Sequence, residues 1–144
     1  MTGHLATGFT QRQIDNAIEF VARNGAENRA AEVHYSLVFE AAGLPAPQLL
    51  HQGGEPSVVT RFMEGFHFRC LELGYPPLDA LVVHVAGERG GVPGHSYFRV
   101  NDQPDPYAPG ATADQAAVAG RFLDQQRAAC RRWGNDRRRG QGVR

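Results

Sequence analysis

Two histidines frame the stretch LDALVVHVAGERGGVPGHSYFRV, from Leu78 to Val100. His84 stands in an apolar run, and His95 follows a glycine-rich segment with Ser96 and Tyr97 beside it. Two imidazoles on either side of a phosphodiester can act as base and acid near neutral pH. His84, His95 and Tyr97 are therefore the candidate set for a small histidine-dependent hydrolase or nuclease. His67 and Cys70 form a second pair, at the three-residue spacing that brings an imidazole and a thiol together on one helix face. Cys70 also shares an apolar stripe with Phe66 and Leu73, where a cysteine serves as a small core residue, and that reading is preferred.

Metal chemistry is not expected. None of the six histidines is arranged as HxxxH or HExxH, and no CxxC occurs. His34, His67, His84 and His95 would have to converge from separate elements to hold an ion. The glycines of GERGGVPG match neither the dinucleotide-binding nor the P-loop pattern, so they read as a turn, and no cofactor is expected. Cys70 and Cys130, far apart in the chain, are expected as reduced, partly buried thiols.

The arginines are the stronger signal. The chain of 144 residues carries 15 basic and 15 acidic residues, and every basic one is arginine. Residues 1–120 hold 7 Arg against 13 Asp and Glu, whereas residues 121–144 hold 8 Arg against 2 Asp. An acidic body joined to a basic end suits a polyanion, with the arginines supplying sequence-indifferent affinity.

The elements that must position these residues follow from periodicity and punctuation. Thr10 and Gln13 have capping-box spacing, with Phe9 placed to staple onto Ile14, and Ile14, Ile18, Val21 and Ala22 form one stripe that Gly25 stops. A second helix is expected from about Asn28 to Ala42, with Val33, Leu37, Val38 and Ala41 facing inward and Gly43 ending it. A third starts at Pro56 and runs to about Leu73 on the stripe Val59, Phe62, Met63, Phe66, Cys70 and Leu73, and Gly74 closes it. The period then changes to that of a strand over Ala80–Ala86, and Tyr97–Val100 is expected to return beside it as an antiparallel hairpin. Thr112 and Gln115 repeat the capping box before a last helix carrying Val118, Phe122, Ala129 and Trp133, and Gly134 ends that helix. The fold class expected is α+β, a helical bundle with a small antiparallel β-hairpin. It forms a single domain over 1–133 with a flexible basic tail over 134–144. Phe62, Phe66, Leu81, Val83, Leu37 and Phe122 are the expected core.

Two short helices, an arginine-bearing third and a long-turned hairpin follow the order of a winged helix. In that arrangement Arg61 and Arg69 lie on the third helix, Ser57 and free amides at its start meet a phosphate, and Arg89 sits at the tip of the wing. Arg131, Arg132, Arg137, Arg138 and Arg139 of the tail add electrostatic affinity. The segments EVHYSLVFEAAGLP, TRFMEGF and LVVHVAGERGGVPGHSYF, within Glu32–Phe98, resemble the DNA-binding domain of alkylguanine-DNA alkyltransferases and alkyltransferase-like proteins. The resemblance implies a DNA-contacting role for Tyr35 and, for Arg61, insertion where a base is flipped. The family's Pro-Cys-His-Arg active site has no counterpart in LDALVVHV, so alkyl transfer is not implied.

The preferred expectation is thus a winged-helix-like nucleic-acid-binding protein, with DNA favoured over RNA. A histidine-dependent hydrolase, and an adaptor or inhibitor that binds a protein partner through its acidic body, are the alternatives. No apolar run approaches membrane-spanning length and the first residues carry no signal-peptide pattern, so a cytoplasmic protein without a membrane partner is expected.

Overall fold

The computed structural model describes residues 9–28, 32–45, 57–84 and 93–142. Helix α1 spans Gln11–Val21. Its start is the reciprocal cap read from the sequence: Gln13 N donates to Thr10 Oγ1, and Thr10 N donates to Gln13 Oε1, both at 3.1 Å. Ile14, Ala17, Ile18 and Val21 are buried on one face. Gly25 does not stop the helix. The chain widens instead into a π turn over Ala22–Ala26, with Glu27 N bonding Ala22 O at 2.9 Å. A Cβ on Gly25 would stand 3.1 Å from Val33 Cγ2 and 3.2 Å from Leu81 Cδ1, so this glycine lets the sheet and the following turn pack close.

Val33 and His34, read as part of a second helix that starts near Asn28, form a strand instead. Strand β1, Val33–His34, pairs with β2, Val82–Val83, in the register Val33↔Val82 and His34↔Val83. The pairing is parallel, and the expected antiparallel hairpin is not formed. A parallel pair needs a long crossover, and here the connection passes through helices α2 (Tyr35–Ala41) and α3 (Ser57–Glu72). Tyr97–Val100, expected as the return strand, belongs to the short helix α4, His95–Val100. Tyr97 and Phe98 are adjacent and both buried, a pattern that a half-buried strand, with side chains alternating between faces, does not make.

The late start of α2 turns its faces. Tyr35, Val38, Phe39 and Ala42 are buried, and Leu37, expected in the core, is 46% exposed. Gly43, at φ 76°, ends the element as expected. Helix α3 buries Phe62, Met63, Phe66, His67 and Cys70, while Leu73 reaches the surface. Gly74, at φ 75°, closes α3. Leu78–Leu81 then forms a buried 3-10 turn, so the strand expected from Ala80 begins only at Val82, and its expected end at Val85 and Ala86 lies outside the described residues. Phe62 packs on Phe9 and Phe39 at ring-centroid distances of 5.0 and 4.9 Å. Phe62, Phe66, Leu81 and Val83 are buried as expected, and Phe122 is only partly covered.

Helix α5 runs unbroken over Ala113–Gly142 and packs on the π turn and the 3-10 turn. Its start repeats the reciprocal cap, Gln115 N to Thr112 Oγ1 at 3.1 Å and Thr112 N to Gln115 Oε1 at 2.9 Å. Gly134, expected as the stop before a flexible tail, is a buried interior residue of this helix. Its missing side chain is what allows α5 to pass over Ala26: a Cβ there would lie 2.1 Å from the Ala26 carbonyl oxygen.

Candidate nucleic-acid interface

Contacts to other elements sort ten of the described arginines into two sets. The first set holds the fold together. Arg69 fastens α3 to α1, with Nε 2.8 Å from Asp15 Oδ1 and Nη2 3.3 Å from Oδ2, and it also reaches Glu72. Those hydrogen bonds to Asp15 raise its pKa above the ordinary arginine value. Arg127 turns inward from α5, where Nε donates to Ala80 O at 3.0 Å and Nη1 lies 3.1 Å from Glu32. Burial lowers its pKa, and Glu32 opposes that shift. Arg137 donates to both carboxylate oxygens of Glu19 at 2.7 and 2.6 Å, lies 3.4 Å from Glu27 and stacks over Trp133 at 5.2 Å. Arg99 pairs with Glu64. Arg69 and Arg137, both expected at a nucleic-acid surface, are thus tied to carboxylates of the body.

The second set is exposed. Arg121, Arg132, Arg138 and Arg139 point outward from α5, Arg131 is half-buried on its flank, and Arg61 is exposed on α3. Arg139 pairs with Asp136 at 2.5 Å, and Arg138 Nη2 reaches Asn135 Oδ1 at 3.4 Å. Arg121, Arg132 and Arg139 follow one another at i, i+11 and i+18. Three turns and then two turns of an α-helix separate them, so they fall on one line along the helix axis. Arg89 lies outside the described residues, and so do the side chains of Ser57 and His95.

Tyr35 is buried, and its hydroxyl accepts a hydrogen bond from Gly94 N at 2.8 Å. Its ring meets that of His84 at 4.8 Å, and a Cβ on Gly94 would come within 3.2 Å of both His84 Nε2 and Tyr35 Oη. His84 and the backbone next to His95 are therefore neighbours, joined through Tyr35. Tyr97 is not part of that group. It is buried in the core, and burial pushes its pKa up, with the Asp79 carboxylate adding to the shift.

Sequence reasoning missed a buried polar pair. His67 Nδ1 lies 3.1 Å from Asp79 Oδ2, with both side chains almost fully enclosed. The available signal was Asp79 itself, an acidic residue in the apolar run LDALVV, because a buried carboxylate needs a donor. Cys70 and Cys130 are both buried free thiols. Cys130 Sγ donates to Pro77 O at 3.4 Å. Burial, reinforced by Asp79, raises the Cys70 thiol and pushes Cys130 up to about 12. Neither thiol is therefore a nucleophile at neutral pH. Among the described residues no group of three metal-ligating side chains comes together. None of the described helices is long and apolar enough to cross a membrane.

No family model, curated protein or solved structure matches the chain.

Proposed function

We propose that this protein binds nucleic acid, DNA in preference to RNA, through the outward face of α5, and that it carries out no alkyl transfer. The observation that carries this reading is the alignment of Arg121, Arg132 and Arg139 on one exposed line of a continuous helix. Guanidinium groups spaced along a rigid element match a row of phosphates, and their association releases condensed counterions. Arg61, exposed on α3, would be a separate contact, in keeping with the resemblance of Glu32–Phe98 to the alkyltransferase DNA-binding domain. The winged-helix-like relationship belongs to the same reading and rests on the order α1, α2, α3 before the glycine-rich connection.

The other two readings have less to stand on. An acidic docking face for a protein partner is weakened because Glu19, Glu27 and Glu32 already face Arg137 and Arg127. A His84–His95–Tyr97 hydrolase is weakened because the Tyr97 side chain is enclosed. Fluorescence anisotropy with a labelled 20-base-pair duplex tests the proposal. Binding at low salt that is strongly reduced in an Arg121→Ala, Arg132→Ala, Arg139→Ala protein supports it. Full binding by that triple variant would move the interface elsewhere.

A further inference from the structure

The outward line of α5 holds more than arginines. Reading along it, Arg121, Gln125, Ala128, Arg132 and Arg139 occupy positions i, i+4, i+7, i+11 and i+18, and all five are exposed. We infer, building on the nucleic-acid reading above, that this face enters the major groove of duplex DNA, with Gln125 reading a base edge between phosphate contacts from Arg121 and Arg132. A major groove about 12 Å wide admits an α-helix. From Arg121 to Arg132 the helix advances roughly 16 Å, and to Arg139 about 27 Å, at about 1.5 Å per residue. The cations thus lie on either side of a short uncharged window. Glutamine carries a donor and an acceptor at the end of a flexible stem and can hold the N6 and N7 edge of adenine, and a small apolar side chain such as Ala128 can face a thymine methyl.

The chemistry of this line selects duplex DNA over other polyanions. Single-strand binders rely on aromatic platforms for base stacking, and none of these five residues is aromatic. Trp133, one residue past Arg132, turns inward against Tyr75 at 4.6 Å. In duplex RNA the major groove is too deep and narrow for side chains to read. The acidic residues near the line set its useful length. Asp136 is held by Arg139, Asp124 lies to one side near Arg127, and Asp114 stands on the line one turn before the exposed Val118, so the groove contact begins at Arg121.

A randomised 16-base-pair DNA duplex pool, enriched on the full-length protein, provides the test. Enriched and unenriched duplexes, the matching single strand and the matching duplex RNA are then titrated by anisotropy. The inference expects an enriched site containing an A·T pair, bound more tightly than the other three probes. Gln125→Ala is expected to weaken that site about tenfold, within the range of one lost bidentate base contact, while leaving the salt dependence unchanged. Gln125→Glu is expected to shift the preference at that position from adenine toward cytosine, which a merely structural role would not do. Circular dichroism of both variants confirms folding at this exposed position. Binding without enrichment, equal or tighter binding to single strand or duplex RNA, or an unchanged preference in both Gln125 variants overturns the inference and leaves the nucleic-acid reading standing. Absence of binding to every probe at low salt overturns both.

Discussion

Gly134 on α5 lies against the carbonyl of Ala26 in the π turn, so closely that a Cβ would stand 2.1 Å from the carbonyl oxygen. This contact seats the arginine-rich segment on the body, three residues before Arg137 reaches Glu19 and Glu27. In an ordinary exposed helix, Gly→Ala stabilises by about 1 kcal/mol. Here Gly134→Ala is expected to do the reverse and lower stability by more than about 1 kcal/mol, because backbone rather than a movable side chain opposes the methyl. The urea midpoint measures it, and a midpoint that rises would mean that α5 does not pass over Ala26 this closely.

The His67–Asp79 pair should behave as a buried polar unit. Removing one partner leaves the other enclosed without its hydrogen bond, so Asp79→Ala is expected to cost roughly 1–3 kcal/mol. A His67→Leu, Asp79→Leu double variant should lose less than the sum of the two single changes, since residues in direct contact are not additive. Additive losses in a double-mutant cycle of denaturation midpoints would show that the two side chains do not interact.

The buried thiols predict an alkaline limit. Burial pushes the Cys130 thiol up to about 12 in the folded protein and raises that of Cys70 as well, whereas thiols of an unfolded chain titrate at about 8.5. Each thiol's raised folded pKa contributes stability that is fully present below about pH 8.5 and is lost as pH rises toward the folded value. The unfolding free energy should therefore fall above about pH 9, by up to roughly 1.4 kcal/mol per pH unit for each thiol. A Cys70→Ala, Cys130→Ala protein should show a shallower decline. A thiol reagent at pH 8 should label neither cysteine until the protein is unfolded.

Much of the helical framework was legible because its signals are local. The Thr10–Gln13 cap, the α3 stripe of Phe62, Phe66 and Cys70, and the stops at Gly43 and Gly74 all depend on residues within a few turns of one another. The sheet was not legible in this way. Two strands of two residues each carry no periodicity, and the partner of Val33 is Val82, beyond two helices. Gly25 and Gly134 look like stops in sequence, yet both serve as sites of close approach between elements. The arginine assignments divided for the same reason. The residue that occupies Arg137 is Glu19, 118 positions away, and Asp15 lies 54 positions from Arg69, so composition alone could not separate structural arginines from exposed ones.

That division can be read directly from paired measurements. Arg69→Ala, which leaves Asp15 without its fork, should lower the urea midpoint by more than Arg132→Ala does. Arg132→Ala should leave stability within about 0.5 kcal/mol of the parent, as exposed surface changes do. Nucleic-acid affinity should follow the opposite order once Arg69→Ala is measured under conditions where it is folded. A folded Arg69→Ala protein that loses binding as fully as Arg132→Ala would return Arg69 to the interface.

The salt dependence of binding to a DNA duplex is the most direct test of the central claim. Each phosphate neutralised contributes about −0.9 to the slope of log K against log salt. The full-length protein should therefore show a slope of about −3 or steeper, with contributions from Arg121, Arg132 and Arg139. Arg121→Ala, Arg132→Ala and Arg139→Ala should each make the slope shallower by about one contact, while Arg127→Ala, whose side chain faces Ala80 and Glu32, should leave the slope of its folded fraction unchanged. A flat salt dependence, or a slope that none of the three exposed arginines alters, would contradict the assignment of this face of α5 to nucleic acid.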